Sequence, residues 1–461
     1  MKKDGYITVY LSLTIAVVLI FIITLTEGIR VQTIKFQTEC VMDIGLNSIF
    51  AEYNRELLNQ YGLLAIDTSY GESGAGEERT KSHLLQYMNM NFDAPGKDVF
   101  SHYRDLTAVH ADNATLSNIS YLSDGEGMVL KYQIVKLMKE KSGVSYIEDA
   151  WKNFSPSESD SKYWELENKK KSSFGEIDEI LSKINEVRRQ EEKEEVSIEN
   201  PAEQVERMNH SLLLDLAVKD SSSIMRREVN LSDYISHRKY EEGAGLWIKQ
   251  EEPDGVVNSY LFRKYLLGNC GYYGNLKEGS QLGYQLEYLL YGKSNDFDNL
   301  DAFAGQVFRA RYVINAAYLF SNSEKVSQAA ALATAVTAGI GSPQLCEVVK
   351  LTILFSWCYA ETIQDLRIIF DGNGVARIKD DTTWNIPLSE LLTFVSTLDS
   401  YHAVEGGKTY YDYLTEFIFL KDEKKLRMRL MDIIEMDIRM TTGNQYFMMD
   451  NCVYQLMAEV N

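Results

Sequence analysis

Apolar positions are continuous at the start of the chain and periodic after it. Tyr6 to Leu25 (YITVYLSLTIAVVLIFIITL) is a run of twenty uncharged residues in which Thr8, Ser12, Thr14 and Thr24 are the clear polar interruptions. At about 1.5 Å of rise per residue the run makes roughly 30 Å of helix, which matches the hydrocarbon thickness of a bilayer. A secretory signal has a shorter apolar core followed by a small-x-small cleavage site, whereas this run ends in Thr-Leu-Thr-Glu-Gly. The pattern therefore predicts an uncleaved, single transmembrane helix. Past Gly28, Met42, Leu46, Ile49, Phe50, Tyr53 and Leu57 recur at three- and four-residue spacing, which predicts a long juxtamembrane amphipathic helix stopped at Gly62.

The pattern then mixes periods. Leu63 to Ile66 reads as a short strand before a glycine-bearing loop from Asp67 to Glu78, and Lys81 to Phe92 as a helix. Extended pieces follow around Leu106 to His110 and Leu116 to Tyr121, then a helix from Gly125 to Lys141. A charged linker begins near Pro156 and carries a surface helix from Ile177 to Val187, and Lys169 to Glu195 has no assigned role. Helical patterning resumes at a cap, Asn230 or Ser232, with a helix from Val256 to Leu267 and a helical hairpin from Leu282 to Leu345. The hairpin's small-residue arm, AAALATAVTAGIG, ends at Gly341-Ser342-Pro343 and leads into an apolar helix reaching Phe370. The part of that helix from Val348 to Ala360 is too short for a second span and contains Lys350, so it reads as core. A tight turn at Asp371 to Gly374 leads to a strand from Val375 to Ile378, and the chain closes on a helix from Lys421 to Met440 and an extended piece from Tyr446 to Val460.

The expected fold class is α+β and predominantly α-helical. A single N-terminal transmembrane helix and a long juxtamembrane helix carry an α+β membrane-proximal part and a helical distal domain. The expected divisions are an anchor at 1–30, a membrane-proximal region at 31–155, a charged helical insertion at 156–225, a helical domain at 226–420 and a C-terminal helix and strand at 421–461.

Composition narrows the function classes. With 461 residues, 45% of them hydrophobic, the chain can bury a sizeable core. A net charge of -20 disfavours nucleic acid as a partner of its bulk. Its five cysteines, Cys40, Cys270, Cys346, Cys358 and Cys452, are widely spaced with no CxxC pair, which argues against a disulfide framework and a zinc knuckle and leaves one or two disulfides open. Lys2 and Lys3 before the span are nearly balanced by Arg30 and Lys35 after it, and the two lysines within the first four residues favour a cytoplasmic N-terminus with the bulk of the chain outside the cell membrane.

No motif carries catalysis or a cofactor. Gly292-Lys293-Ser294 imitates the end of a phosphate-binding loop, but Glu287 stands where the first glycine belongs. Asp296, Asp298 and Asp301 suggest calcium, but Leu300 and Asp301 fall at the fifth-ligand and glycine positions, so helix capping explains them better. The six histidines, His83, His102, His110, His210, His237 and His402, form no two-ligand spacing. The expectation is a non-enzyme without catalytic residues, cofactor or metal. Inside the span, Thr8, Ser12 and Ala16 at four-residue spacing form a small-residue face on which another helix can pack.

Lys2-Lys3-Asp4-Gly5 before the apolar helix, together with CVMDIGLNSIFAEYNRELLNQYGL at 40–63, resembles the TadE/TadG-like minor pseudopilins of tight-adherence pili. LEYLLYGKS at 286–294, the hairpin after it and FSWCYAE at 355–361 resemble an uncharacterised Gram-positive family associated with those loci, and this likeness covers nearly the whole chain. The resemblance implies a membrane-anchored structural or assembly component of a type IV-like pilus or related secretion apparatus. Its implied partners are a membrane-embedded assembly platform, pilin-like proteins and the lipid bilayer, with oligomers possible. It also implies a processing site between Gly5 and Tyr6. Class III prepilins carry glutamate five residues after the cleaved glycine, where this chain has Tyr10. The rival reading is an anchored cell-surface hydrolase whose site assembles only in three dimensions.

Overall fold

The computed structural model describes residues 4–74, 76–92, 109–142, 213–245, 255–338 and 343–460. The extended piece expected at 106–108, the linker and helix expected between 156 and 195, the stop at Gly341-Ser342, and His102 and His210 lie outside the described residues. Helices dominate what is described and accompany one small three-stranded sheet, an α+β arrangement that is predominantly helical. The chain forms two compact units, each discontinuous in sequence. The first takes Met1–Ile134, Tyr234–Pro253 and Ile434–Asn461; the second takes Val135–Asp233 and Asp254–Ile433.

In the first unit, α1 (Asp4–Phe50) is one helix of 47 residues. Its C-terminal turns place Val41 and Ile49 in an apolar core with Leu84, Met88 and Phe92 of α3 (Gly76–Phe92), beside Ile66 and Val453. Gly45 permits this approach, since a Cβ there would lie 3.0 Å from Leu84 Cδ1 and 3.1 Å from Met88 Cγ. The helix expected to run on to Leu57 stops at Phe50. Asn54 starts a separate helix, α2 (Arg55–Tyr61), by accepting the Leu57 N–H at 3.0 Å. Such a side-chain cap competes locally with helix continuation, and apolar spacing does not register it.

Gly62 ends α2 at φ 68, where the pattern expected a stop. The left-handed geometry disfavours any side chain. Gly62→Ala is expected to cost about 1 kcal/mol, with Gly62→Asn costing less, read as a shift of the urea midpoint of the full chain.

The sheet orders β1 (Ile66–Asp67), β3 (Cys452–Val460) and β2 (Ala114–Tyr121), with the C-terminal strand antiparallel between the other two. The strand expected over Leu63 to Ile66 forms ladder pairs at Ile66 alone. Leu64 is lost to it because Gln133 takes both its backbone groups, the N–H at 3.1 Å and the carbonyl at 2.6 Å. Next, α4 (Asp124–Ser142) opens on three left-handed residues, Gly125, Glu126 and Gly127. The Asp124 carboxylate there accepts the N–H groups of Tyr121, Gly243 and Gly245.

The second unit is helical. It contains α5 (Leu213–Ala217), α6 (Val256–Asn269), α7 (Gln285–Tyr291), α8 (Asp296–Ser321), α9 (Ser323–Thr337), α10 (Pro343–Phe370), α11 (Phe394–Thr397), α12 (Tyr410–Leu420) and the first part of α13 (Glu423–Thr442). The α8 and α10 helices pack together, and the small-residue helix α9 lies on α10 with Ala329, Ala333 and Thr337 buried. Leu354, Phe355, Trp357 and Cys358 are buried inside this unit, so the apolar middle of α10 is core. Two sequence-based expectations fail here. Asn230 and Ser232 bond to each other around a single 3-10 turn, Leu231–Asp233, and among the described residues the next α-helix starts at Val256. Val375 to Ile378 makes one bridge, Val375 to Lys408, because the Ala376 carbonyl is taken by a buried arginine.

Candidate membrane anchor and the polar clusters

The N-terminal half of α1 is the described helix long and apolar enough to cross a membrane, and none of its most apolar window is buried inside the protein. Ile20 and Phe21 are 64% and 66% exposed, whereas Ile49 on the same helix is fully buried. Hydroxyls within the run fold back on the helix. Ser12 donates to Val9 O at 2.9 Å, Thr14 to Leu11 O at 2.9 Å and Thr24 to Ile20 O at 2.8 Å. Satisfied in this way, they cost little where water is absent. The first charges after the run, Glu27 and Arg30, pair at 3.5 Å one turn apart.

Thr8, Ser12 and Ala16 lie along one exposed face of α1. Gly5 and Tyr6 fall within its first turns, the helix starting at Asp4, and Tyr6 is 82% exposed.

The other sequence candidates resolve into structural roles. Gly292 is the left-handed cap of α7 at φ 65, and a Cβ there would meet the Arg429 guanidinium at 2.6 Å. Lys293 donates its N–H to Asn299 Oδ1 at 2.8 Å. At the start of α8 the cap is Asn295, which accepts the Asp298 N–H at 2.8 Å and returns a bond to the Asp298 carboxylate. Asp296 turns backward to accept the N–H groups of Gly283 and Tyr284. In the glycine loop before α3, the Arg79 guanidinium bonds the carbonyls of Ser69, Glu72 and Ser73, so a protein cation fills the loop.

His83 contacts Glu52 at 3.1 Å, and that carboxylate also accepts the hydroxyls of Tyr70 and Tyr87. His237 touches its neighbour Ser236, and His402 donates its backbone N–H to Asn385. Among the described residues no group of three or more His, Cys, Asp or Glu is placed to hold a metal, and all five cysteines are free thiols.

The densest polar site is a buried quartet in the second unit. Arg311 of α8 meets Asp365 of α10 at 2.9 Å and gives a further bond, 2.7 Å, to Ala376 O. Lys379 lies between Asp365, at 2.7 Å, and Glu361, and also donates to Thr383 O at 3.0 Å. Asn315 donates to Asp365 at 2.8 Å, while the N–H groups of Asn385 and Ile386 close on Glu361 at 3.0 and 2.8 Å. Burial raises both carboxyls. Arg311 and Lys379 together still hold Asp365 below the usual range, whereas Glu361, beside one cation, is pushed up.

Two cations balance two anions, and the carboxylates and the lysine are already bonded. The quartet fastens the segment from Ala376 to Ile386 onto α8 and α10. Sequence reasoning passed over it. Its visible signal was Arg311 with Asn315 and Glu361 with Asp365, each pair four apart inside an otherwise apolar helix. In the first unit Arg238 plays a similar part, reaching Glu435 at 2.7 Å and Asp450 at 2.5 Å.

No curated protein and no solved structure matches the chain. One family model, described as a family of unknown function, covers residues 191–461, more than half of the chain. The chain belongs to that family, DUF5702.

Proposed function

We propose that this is a single-pass membrane protein with a cytoplasmic N-terminus, an α+β part next to the membrane and a helical distal part outside it. It acts by protein–protein interaction as a structural or assembly component of a tight-adherence pilus or related secretion apparatus. The observation that carries the anchor is α1, in which one unbroken helix joins a fully exposed apolar run to turns that enter a packed core. Sustained exposure of so many large apolar side chains is unfavourable in water and favourable in lipid. The pilus assignment rests on the N-terminal sequence likeness. Polar groups that are committed to one another, as in the Arg311 quartet, fit a scaffold better than an enzyme.

The face bearing Thr8, Ser12 and Ala16 is the proposed contact with a membrane-embedded platform or pilin-like helix, since small residues let two backbones approach. A photo-crosslinking residue at Ser12 in living cells is expected to trap a membrane protein, identified by mass spectrometry, that the same probe at Phe21 on the opposite face does not. Equal capture from both positions, or none from Ser12, contradicts the proposed face.

A further inference from the structure

The start of α7 is laced into the loop before it. Gln285, Leu286 and Glu287 are fully buried. Gly271 donates its N–H to Gln285 Oε1 at 3.1 Å and accepts the Leu286 N–H at 2.9 Å. Glu287 Oε1 accepts the Tyr273 N–H at 2.9 Å and the Tyr410 hydroxyl at 2.5 Å. Its other oxygen, Oε2, has neither partner nor exposure. Tyr410 is the first residue of α12, and its ring packs against Phe303 at 4.6 Å, Phe370 at 5.2 Å and Tyr273 at 5.6 Å. A buried carboxylate with one bare oxygen in aromatic surroundings is costly unless it is neutral.

Among the ionisable groups that face this corner, the Tyr410 hydroxyl favours the anion by donating to it, and the others do not help it. Tyr273 and Tyr284 face it from the loop, Tyr291 from its own helix, Tyr410 from α12, and Asp296 of α8 adds a second negative charge. Cations stay at the margins. Arg309 acts on Tyr291, Arg367 and Lys219 act on Tyr273, and Arg429 bonds the carbonyls of Leu289 and Tyr291 at the far end of α7, below which Asp432 accepts the Tyr288 hydroxyl.

We propose that Glu287 is a proton-operated latch: while its carboxyl holds a proton, the 271–284 loop, α7 and the start of α12 stay fastened, and losing that proton to solvent loosens this corner. Burial, reinforced by Asp296 and only partly offset by the Tyr410 and Tyr273 donors, raises the carboxyl to about 7. Because the folded value lies above the unfolded one, the stabilisation is complete below about pH 4.5 and is lost as pH rises through about 7. Between pH 5 and pH 8.5 this group alone is expected to lower the folded-to-unfolded ratio roughly 70-fold.

The test is urea unfolding of the full chain in detergent micelles, followed by tryptophan fluorescence, with Trp357 and Trp384 buried in the second unit. Wild type and Glu287→Gln are compared from pH 5 to 8.5. The variant is expected to gain on the wild type as pH rises, by roughly 70-fold over the range. Parallel curves overturn the proposal. Should the variant not fold, hydrogen exchange of wild-type peptides from 271–291, corrected for intrinsic pH dependence, is expected to show opening that grows roughly tenfold between pH 6 and 8.5, with none in α8 peptides. Opening independent of pH overturns it equally.

Discussion

Lys379→Met is expected to destabilise the second unit by about 3–5 kcal/mol, because it leaves Glu361 and Asp365 buried with Arg311 as the one remaining cation. That loss corresponds to a fall in melting temperature on the order of 10 °C, read by tryptophan fluorescence of the full chain in micelles. The partner substitution decides the mechanism. Adding Glu361→Gln removes the uncompensated charge, so the double variant is expected to be more stable than Lys379→Met alone. If the double variant instead loses the sum of both single effects, the quartet is not acting as a charge-balanced unit. The two carboxyls carry opposite pH signs: the ionic stabilisation from the depressed Asp365 is present above about pH 4 and lost as pH falls below it, whereas the contribution of the raised Glu361 is present below about pH 4.5 and lost as pH rises.

Placing aspartate at both Ile15 and Leu19 is expected to remove the chain from membranes. Each aspartate near the centre of a spanning helix costs about 2.5–3.5 kcal/mol of insertion, so the pair opposes insertion by roughly 5–7 kcal/mol. Ile29→Asp, between the paired Glu27 and Arg30, changes a residue that is likewise exposed, at 59%, but lies outside the proposed span, and it is expected to be tolerated. The measurement is the fraction of chain left in the alkali-washed membrane pellet. Similar loss for all these changes would mean that general solubility, not a bilayer span, holds α1 at the membrane.

What could be read from the sequence was local. Tyr6 to Leu25 declares itself because a continuous apolar run needs no partner to be recognised. Gly62 sits where a left-handed backbone favours glycine and was legible for that reason, whereas Asn295 has an extended backbone and is fitted to its place by its side-chain cap. The break at Asn54 and the left-handed turn at Gly125 to Gly127 were not, since both depend on side-chain bonds that compete with helical spacing. Long-range pairing was the larger gap. That the strand from Cys452 joins the sheet between segments more than 300 residues earlier in the chain follows from contacts that periodicity cannot encode. For the same reason Lys379 carried no signal as a buried cation, while the charges within α8 and α10 could have warned of a partner.

The most direct test of an outward-facing anchored protein is protease shaving of wall-stripped cells that express the full chain with a C-terminal tag, followed by N-terminal sequencing of the membrane-held fragment. The expected result is loss of the tag with α1 retained in the membrane and an intact start at Met1, the outcome for an unprocessed accessory component. A start at Tyr6 would instead mark a processed pilin-like subunit. A tag that stays protected until the membrane is dissolved would place both folded units in the cytoplasm and contradict the surface assignment.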